Sequence, residues 1–345
     1  MKDTMLAAVF TAPGKLELQQ VPVPKIQAPD QVLLKVLAAS ICGTDLHILH
    51  VPPGHPGTVG SILCHEYVGE VLEVGSAVTE FAIGDHVVVD PNLTCGSCCN
   101  YCKNGMPNMC SNMTTLGIFM DGGFAEYNVA PARALHKISK DVPPEIAVFA
   151  EPLSCVVNAT QKIKLQPGET AVVLGAGPIG LYFTQIFKAS GAGKIIVAEI
   201  SSFRQHYARV SGADVVVNPA QENLVQIVQE HTGGLGADVV VDAVGTLLKD
   251  AIQIARRGGR ILLFGQNQNA RAEIAQNDIT RNELTIMGSF IAKYTFPPTI
   301  KLIESGILPL EKLITHRLPL REIEQGFDAM RRGEAIEVVI FPHQE

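Results

Sequence analysis

The sequence contains no tryptophan, and aromatic residues make up only 6% of its 345 positions. Any core must therefore be built mainly from aliphatic side chains. Charge is also sparse: 27 basic against 34 acidic residues leave a net −7 with histidine neutral. Without a basic excess the chain has little to offer a phosphate backbone, so nucleic acid is not expected as a partner. No run of about 18 uninterrupted apolar residues occurs, so no membrane span is expected. The opening residues MKDTMLAAVF hold too short an apolar run before Pro13 for a secretory signal, and a cytoplasmic protein is expected. Hydrophobic residues reach 47% and charged ones 18%, a globular composition that argues against disorder. At about 150 residues per domain, the length predicts two domains.

Five of the eight cysteines lie between Cys95 and Cys110. In a reducing compartment, clustered thiols bind metal or do redox chemistry more often than they form disulfides. To about Val142 the chain reads as short strands, among them 31–37, 67–74 and 86–90, with Gly69, Gly75 and Gly84 as punctuation. That texture predicts an antiparallel barrel or sandwich. From about Pro167 the period changes. Strands at 171–174, 194–199, 214–218, 238–243, 260–264 and 284–287 alternate with helices at 179–190, 203–211, 223–231 and 248–255. Such alternation predicts βαβ units and a doubly wound parallel sheet. The tail, 299–342, carries two helical patterns and a final strand at 336–341.

Gly175-Ala-Gly177-Pro178-Ile179-Gly180 follows a predicted strand and opens a predicted helix. In that context the first glycine permits a tight turn, the second admits a pyrophosphate and the third lets helix and strand pack closely. The helix N-terminus offers unpaired N–H groups to the phosphates. Glu199 ends the next strand, 19 residues beyond Gly180. A carboxylate there accepts ribose hydroxyls and repels a 2′-phosphate, which favours NAD over NADP. Arg204 is near enough to pair with a phosphate or stack on adenine, so NADP stays open.

In the first half, Cys42, Thr44, Asp45 and His47 form one group and Cys64, His65 and Glu66 another. A thiolate, an imidazole and a carboxylate can hold zinc and leave a coordination position open for substrate. The stretch His65-Glu66-Tyr67-Val68-Gly69, with Gly75 and Val78 beyond it, resembles the zinc signature of the medium-chain dehydrogenase/reductase superfamily. With CGTDLH before it and the cysteine cluster, EPLSC and GAGPIG after it, the motifs stand in that superfamily's order, so the similarity spans essentially the whole chain. Ala150-Glu151-Pro152-Leu153-Ser154 is most similar to the sorbitol, polyol-phosphate and threonine dehydrogenase branch.

The resemblance implies the following roles. Cys42 and His65 would ligate a catalytic zinc, Glu66 would be a third or exchanging ligand, and Glu151 would bind directly or through water. Asp45 would accept the second ring N–H of His65. Thr44 would hydrogen-bond the substrate oxygen and His47 would pass its proton to solvent. A structural zinc would take four of Cys95, Cys98, Cys99, Cys102 and Cys110, with Cys98 or Cys99 as the fourth ligand. A redox disulfide site is the alternative for this cluster. The implied fold is a GroES-like β-rich catalytic domain, residues 1–152 completed by 291–345, with a Rossmann domain at 153–290. The implied activity is zinc-dependent transfer of hydride between a secondary alcohol and NAD, giving the ketone. The substrate would be a polyol, a polyol phosphate or a related alcohol, and the protein a homodimer or homotetramer. A threonine or amino-alcohol dehydrogenase is the alternative within the superfamily, a non-enzymatic zinc-stabilised interaction protein the alternative outside it.

Two positions depart from the superfamily pattern. Cys64 stands where glycine normally precedes the His-Glu pair, and it reads as a small buried residue or as an extra ligand or oxidation-sensitive thiol. Ile291 stands where sorbitol-type enzymes present a substrate-binding arginine, with Lys293 and Tyr294 nearby, which argues against free hexitols. Cys155, close to Glu151, reads as inert packing.

Overall fold

The apolar run at 31–40 becomes a strand buried along most of its length, Gln31–Ser40, and it organises the first part of the molecule. In a computed structural model describing residues 3–344 it pairs antiparallel with Glu66–Val74, Tyr127–Pro131 and Glu337–Phe341. These belong to a seven-stranded sheet completed by His86–Val89, Leu135–Lys137 and Ile314–Pro319, the last parallel to Glu337–Phe341. A hairpin, Thr4–Ala12 with Lys15–Pro22, lies outside this sheet. Aliphatic side chains such as Val32, Leu34, Val71, Val87 and Val338 fill the core, with Tyr67, Phe124 and Phe327 among its few rings.

The second sheet has six parallel strands: Val215–Val217, Lys194–Ala198, Thr170–Leu174, Ala237–Asp242, Ala255–Leu263 and Thr285–Gly288, in that spatial order. By sequence this is 3-2-1-4-5-6, the doubly wound order in which ligands bind where the winding reverses, here between Thr170–Leu174 and Ala237–Asp242. The inner strands are near-continuous aliphatic runs, as a sheet covered on both faces requires.

The chain divides into two compact units: Met1–Pro152 with Phe296–Gly306 and Ile314–Glu345, and Leu153–Thr295 with Ile307–Leu313. The tail therefore does not return to the first unit in one piece from 291. Residues 291–295 group with the second unit: the Asn158 amide donates to Ile291 O at 2.7 Å and the Thr295 hydroxyl to Ser154 O at 2.7 Å. Ile307–Leu313 groups there too, with Leu308, Leu310 and Leu313 buried and Gln185 donating to Pro309 O.

Candidate active site

Cys42 caps the short helix Gly43–Ile48, and its N–H donates to Asp45 Oδ2 at 3.0 Å. Its Sγ lies 3.7 Å from Thr44 Oγ1. His65 and Glu66 sit at the start of Glu66–Val74, where register places Glu66 opposite Ser40. The result brings Cys42, His65 and Glu66 together, one ligand atom from each within 4.8 Å of the others. Thr44 is half-buried and His47, three residues on along the same helix, is exposed. Residues three apart share a helix face.

The electrostatics suit a cation. Burial, then Asp45 and Glu151, push the Cys42 thiol up to about 12. Burial, then Cys42 and Glu337, hold the Glu66 carboxyl well above its ordinary range. Burial pushes Asp45 up to about 6 against the opposing pull of His65. For His65, burial opposes charge, but Asp45, Glu151 and Glu66 together win and raise it. A divalent cation bound by Cys42, His65 and Glu66 would favour their deprotonated forms. Glu151, in the first turn of Ala150–Ile163, acts on Cys42, His65 and Glu66 through its charge and so belongs to the same neighbourhood.

Asp45 Oδ1 lies 4.0 Å from His65 Nδ1, and neither buried atom has a hydrogen-bond partner. The hydrogen bond expected between them is not formed at this distance. Asp45 instead spends its other oxygen on the Cys42 N–H. A buried orphan imidazole nitrogen facing a buried orphan oxygen, with a thiol and a carboxylate beside them, is the chemistry of a zinc site.

Cys64 is buried with φ +83°, a left-handed conformation that penalises any side chain. The loop that crosses it holds it there: Gly123 N–H donates to Cys64 O at 2.8 Å, and a Cβ on Gly117 or Gly122 would come within 2.0 Å of that oxygen. Its thiol contacts Glu66 O at 3.2 Å and Ser40 O at 3.5 Å. It is not among the three grouped ligand atoms.

Of the five clustered cysteines, Cys95, Cys99, Cys102 and Cys110 converge, whereas Cys98 is exposed. Backbone N–H groups of Cys95, Cys99, Cys102 and Asn112 each point at one of these sulfurs at 3.3–3.4 Å, the usual dressing of thiolates.

In the second unit Gly175 has φ +96°, and a Cβ on Gly180 would sit 2.0 Å from Gly175 O. Nothing lies within 4 Å of a Cβ on Gly177, the position where a pyrophosphate would approach. Pro178 and Ile179 open the helix Pro178–Ala189. Glu199 is buried, and its oxygens accept N–H bonds from Ala176 and Ser201, each at 2.8 Å. The carboxylate thus braces the glycine turn and retains lone pairs for a ribose. Arg204 Nε is buried without a partner.

Sequence reasoning did not single out Ser40 or Glu337. The Ser40 hydroxyl donates to Glu337 Oε1 at 2.6 Å, and both side chains are buried. The available signal was one acid inside the apolar run of Glu337–Phe341.

A parallel sheet with an open glycine turn, together with a half-buried thiol beside a buried imidazole and carboxylate, defines a zinc-dependent, dinucleotide-linked dehydrogenase. Residues 28–140 match the alcohol dehydrogenase GroES-like domain and residues 178–305 the zinc-binding dehydrogenase family. The chain is 38% identical to the L-threonine 3-dehydrogenase of Thermococcus kodakarensis over the full length of both. It is 34% identical to the sorbitol dehydrogenase of Bacillus subtilis, over 99% of this chain and 98% of that one. Among solved structures, a protein of Sinorhizobium meliloti 1021 described as a zinc-binding dehydrogenase bound to NADP superposes with a TM-score of 0.92. It is 31% identical, over 99% of this chain and 100% of the other. The chain belongs to the zinc-containing medium-chain dehydrogenase/reductase superfamily, and it is an oxidoreductase acting on CH–OH groups.

Proposed function

We propose that this enzyme oxidises a secondary alcohol to its ketone with NAD, using Cys42, His65 and Glu66 to hold the catalytic zinc. The convergence of those three ligand atoms within 4.8 Å carries the reading. When bound, zinc there would supply Lewis acidity and the dinucleotide a hydride acceptor. The Thr44 hydroxyl takes the alcohol proton on one side and donates its own on the other. His47, exposed on the same helix face, exchanges that proton with solvent. Asp45 fixes the start of the helix through the Cys42 N–H and faces the far nitrogen of His65. Glu151 is the second carboxylate of the site, and its charge favours the cation. Cys95, Cys99, Cys102 and Cys110 hold a structural zinc.

Gly175, Gly177 and Gly180 receive the pyrophosphate, and Glu199 selects NAD. The buried carboxylate, already anchored by two N–H groups, repels a 2′-phosphate. Arg204 borders the adenosine end. Replacing Glu199 by Ser is expected to lower kcat/KM for NAD by about tenfold or more and to raise that for NADP, since hydrogen bonds to a charged group contribute about 1.5–3 kcal/mol. An unchanged ratio of the two constants refutes the assignment.

A polyol or polyol phosphate is the substrate class we favour, and Ile291 in place of an arginine speaks against free hexitols. L-Threonine is the second reading, favoured by the full-length similarity to the L-threonine 3-dehydrogenase. Zinc-replete protein assayed with NAD on polyols, polyol phosphates, simple secondary alcohols and L-threonine decides between them. Absence of NAD reduction across the whole panel sinks the proposal. We place the enzyme in the cytoplasm as a homo-oligomer. None of the eight cysteines forms a disulfide, and the six-stranded sheet ends on the short strand Thr285–Gly288, able to pair with a second copy.

A further inference from the structure

Glu337 is a buried carboxylate with no part in the chemistry above, set in an otherwise apolar strand. An acid is costly to keep in such a place. Strand register shows what it faces. Ser40 lies opposite Glu66 on one neighbouring strand and opposite Val339 on the other. Its hydroxyl donates to Glu337 Oε1 at 2.6 Å. One buried serine thus bridges the strand that presents Glu66 and the strand that presents Glu337. Burial, then Cys42 and Glu337, raise the Glu66 carboxyl, so Glu337 lies near enough to act on it through its charge.

We infer that Glu337 is a positioning residue for Glu66: its negative charge, pinned by Ser40, disfavours the inner flank and biases the Glu66 carboxylate toward a cation held by Cys42 and His65. The inference rests on the proposed role of Glu66 as a zinc ligand. Two carboxylates repel strongly where water is excluded, and a cation at Cys42 and His65 relieves the charge of Glu66. The strand Glu337–Phe341 thereby gives the metal site a wall chosen for its charge as well as its shape.

Cobalt-substituted holoenzyme tests this through its visible absorption spectrum and its rate of cobalt loss to a chelator. Glu66→Gln is expected to change the spectrum and speed the loss. Glu337→Gln keeps the shape, removes the charge, and is expected to shift the spectrum in the same direction with cobalt lost about tenfold faster. The double variant is expected to lose cobalt no faster than Glu66→Gln alone, because both changes act through one carboxylate. Ser40→Ala, which releases Glu337 without removing it, is expected to give a smaller shift of the same sign and serves if Glu337→Gln fails to fold. A lowered thermal midpoint with parental spectrum and parental cobalt loss overturns the inference, as does full additivity in the double variant. If Glu66→Gln itself leaves spectrum and loss unchanged, the ligand role of Glu66 has failed. If Glu66→Gln acts and Glu337→Gln is silent, only the positioning role has failed.

Discussion

Serine substitution at two adjacent cysteines, Cys98 and Cys99, should have opposite outcomes. A zinc–sulfur distance of about 2.3 Å in a tetrahedron puts the sulfurs about 3.8 Å apart. Cys95 and Cys102 stand 3.7 Å apart, and Cys99 and Cys110 3.9 Å. Cys99 therefore occupies a corner of a zinc-sized tetrahedron, while Cys98 points to solvent. The lobe around them has little core of its own, with Leu93, Cys102, Asn108 and Cys110 buried between 93 and 112. Structural zinc binds small peptides with about 10–16 kcal/mol, so the metal dominates local stability here. Losing even about 4 kcal/mol of that raises local opening about a thousandfold. Cys99→Ser is expected to drop zinc content from two per chain to one. It is also expected to speed hydrogen exchange at the Lys103 and Cys110 amides, which bond within the lobe to Cys99 O and Pro107 O. Cys98→Ser is expected to retain both metals and parental exchange. Metal analysis and exchange mass spectrometry read the two variants side by side. Two zinc ions in Cys99→Ser, or one in Cys98→Ser, would refute the geometric reasoning.

Three further outcomes are expected. In metal-free protein, Asp45 is raised from 3.8 to about 6, so the folded chain binds the proton more tightly than the unfolded one between those values. This group's contribution to stability therefore rises as pH falls from above 6 toward 4. The rise in denaturant midpoint as pH falls across that window should be smaller in Asp45→Asn than in the parent, since Asp90, raised to about 6 by burial, contributes the same sign in both. In the cofactor turn, Gly177→Ala meets open space and should fold normally while weakening NAD binding, measured by calorimetry. Gly180→Ala drives a Cβ to 2.0 Å from Gly175 O and should cost about 1–3 kcal/mol or more of stability; equal thermal midpoints for the two variants would contradict the packing argument. At position 64, the +83° φ should make Cys64→Gly more stable than Cys64→Ala by about 1 kcal/mol, reversing the order seen in ordinary backbone. Denaturant unfolding of both variants checks the sign, and unchanged cobalt spectra in both would confirm that the thiol is not a ligand.

Much of the second unit was legible because its signals are local. The strand Thr170–Leu174, the glycine turn and the helix Pro178–Ala189 are contiguous, and each glycine answers to an atom a few residues away or to open space. The first unit was less legible. Its strand Ile314–Pro319 was not anticipated, and neither was the helix Ala150–Ile163, whose residues divide between the two units. The strand takes its place by pairing with Glu337–Phe341, and the helix begins with EPLSC, which reads first as a motif. Five cysteines for four ligand positions left the choice between Cys98 and Cys99 open. Asp45 and His65 were paired by expectation, yet the chain spends Asp45 on the Cys42 amide and leaves 4.0 Å to the imidazole.

By itself, the sequence determined the aliphatic interior, the change from short strands to alternating strands and helices, and the dinucleotide turn. These follow from side-chain periodicity and from backbone limits that act within a few residues. Tertiary structure alone decided which thiols meet, how far Asp45 stands from His65, and that Glu337 comes beside Ser40 across 297 residues of chain. Such contacts depend on sheet order and register, set by many strands packing at once, and no local pattern of residues encodes them.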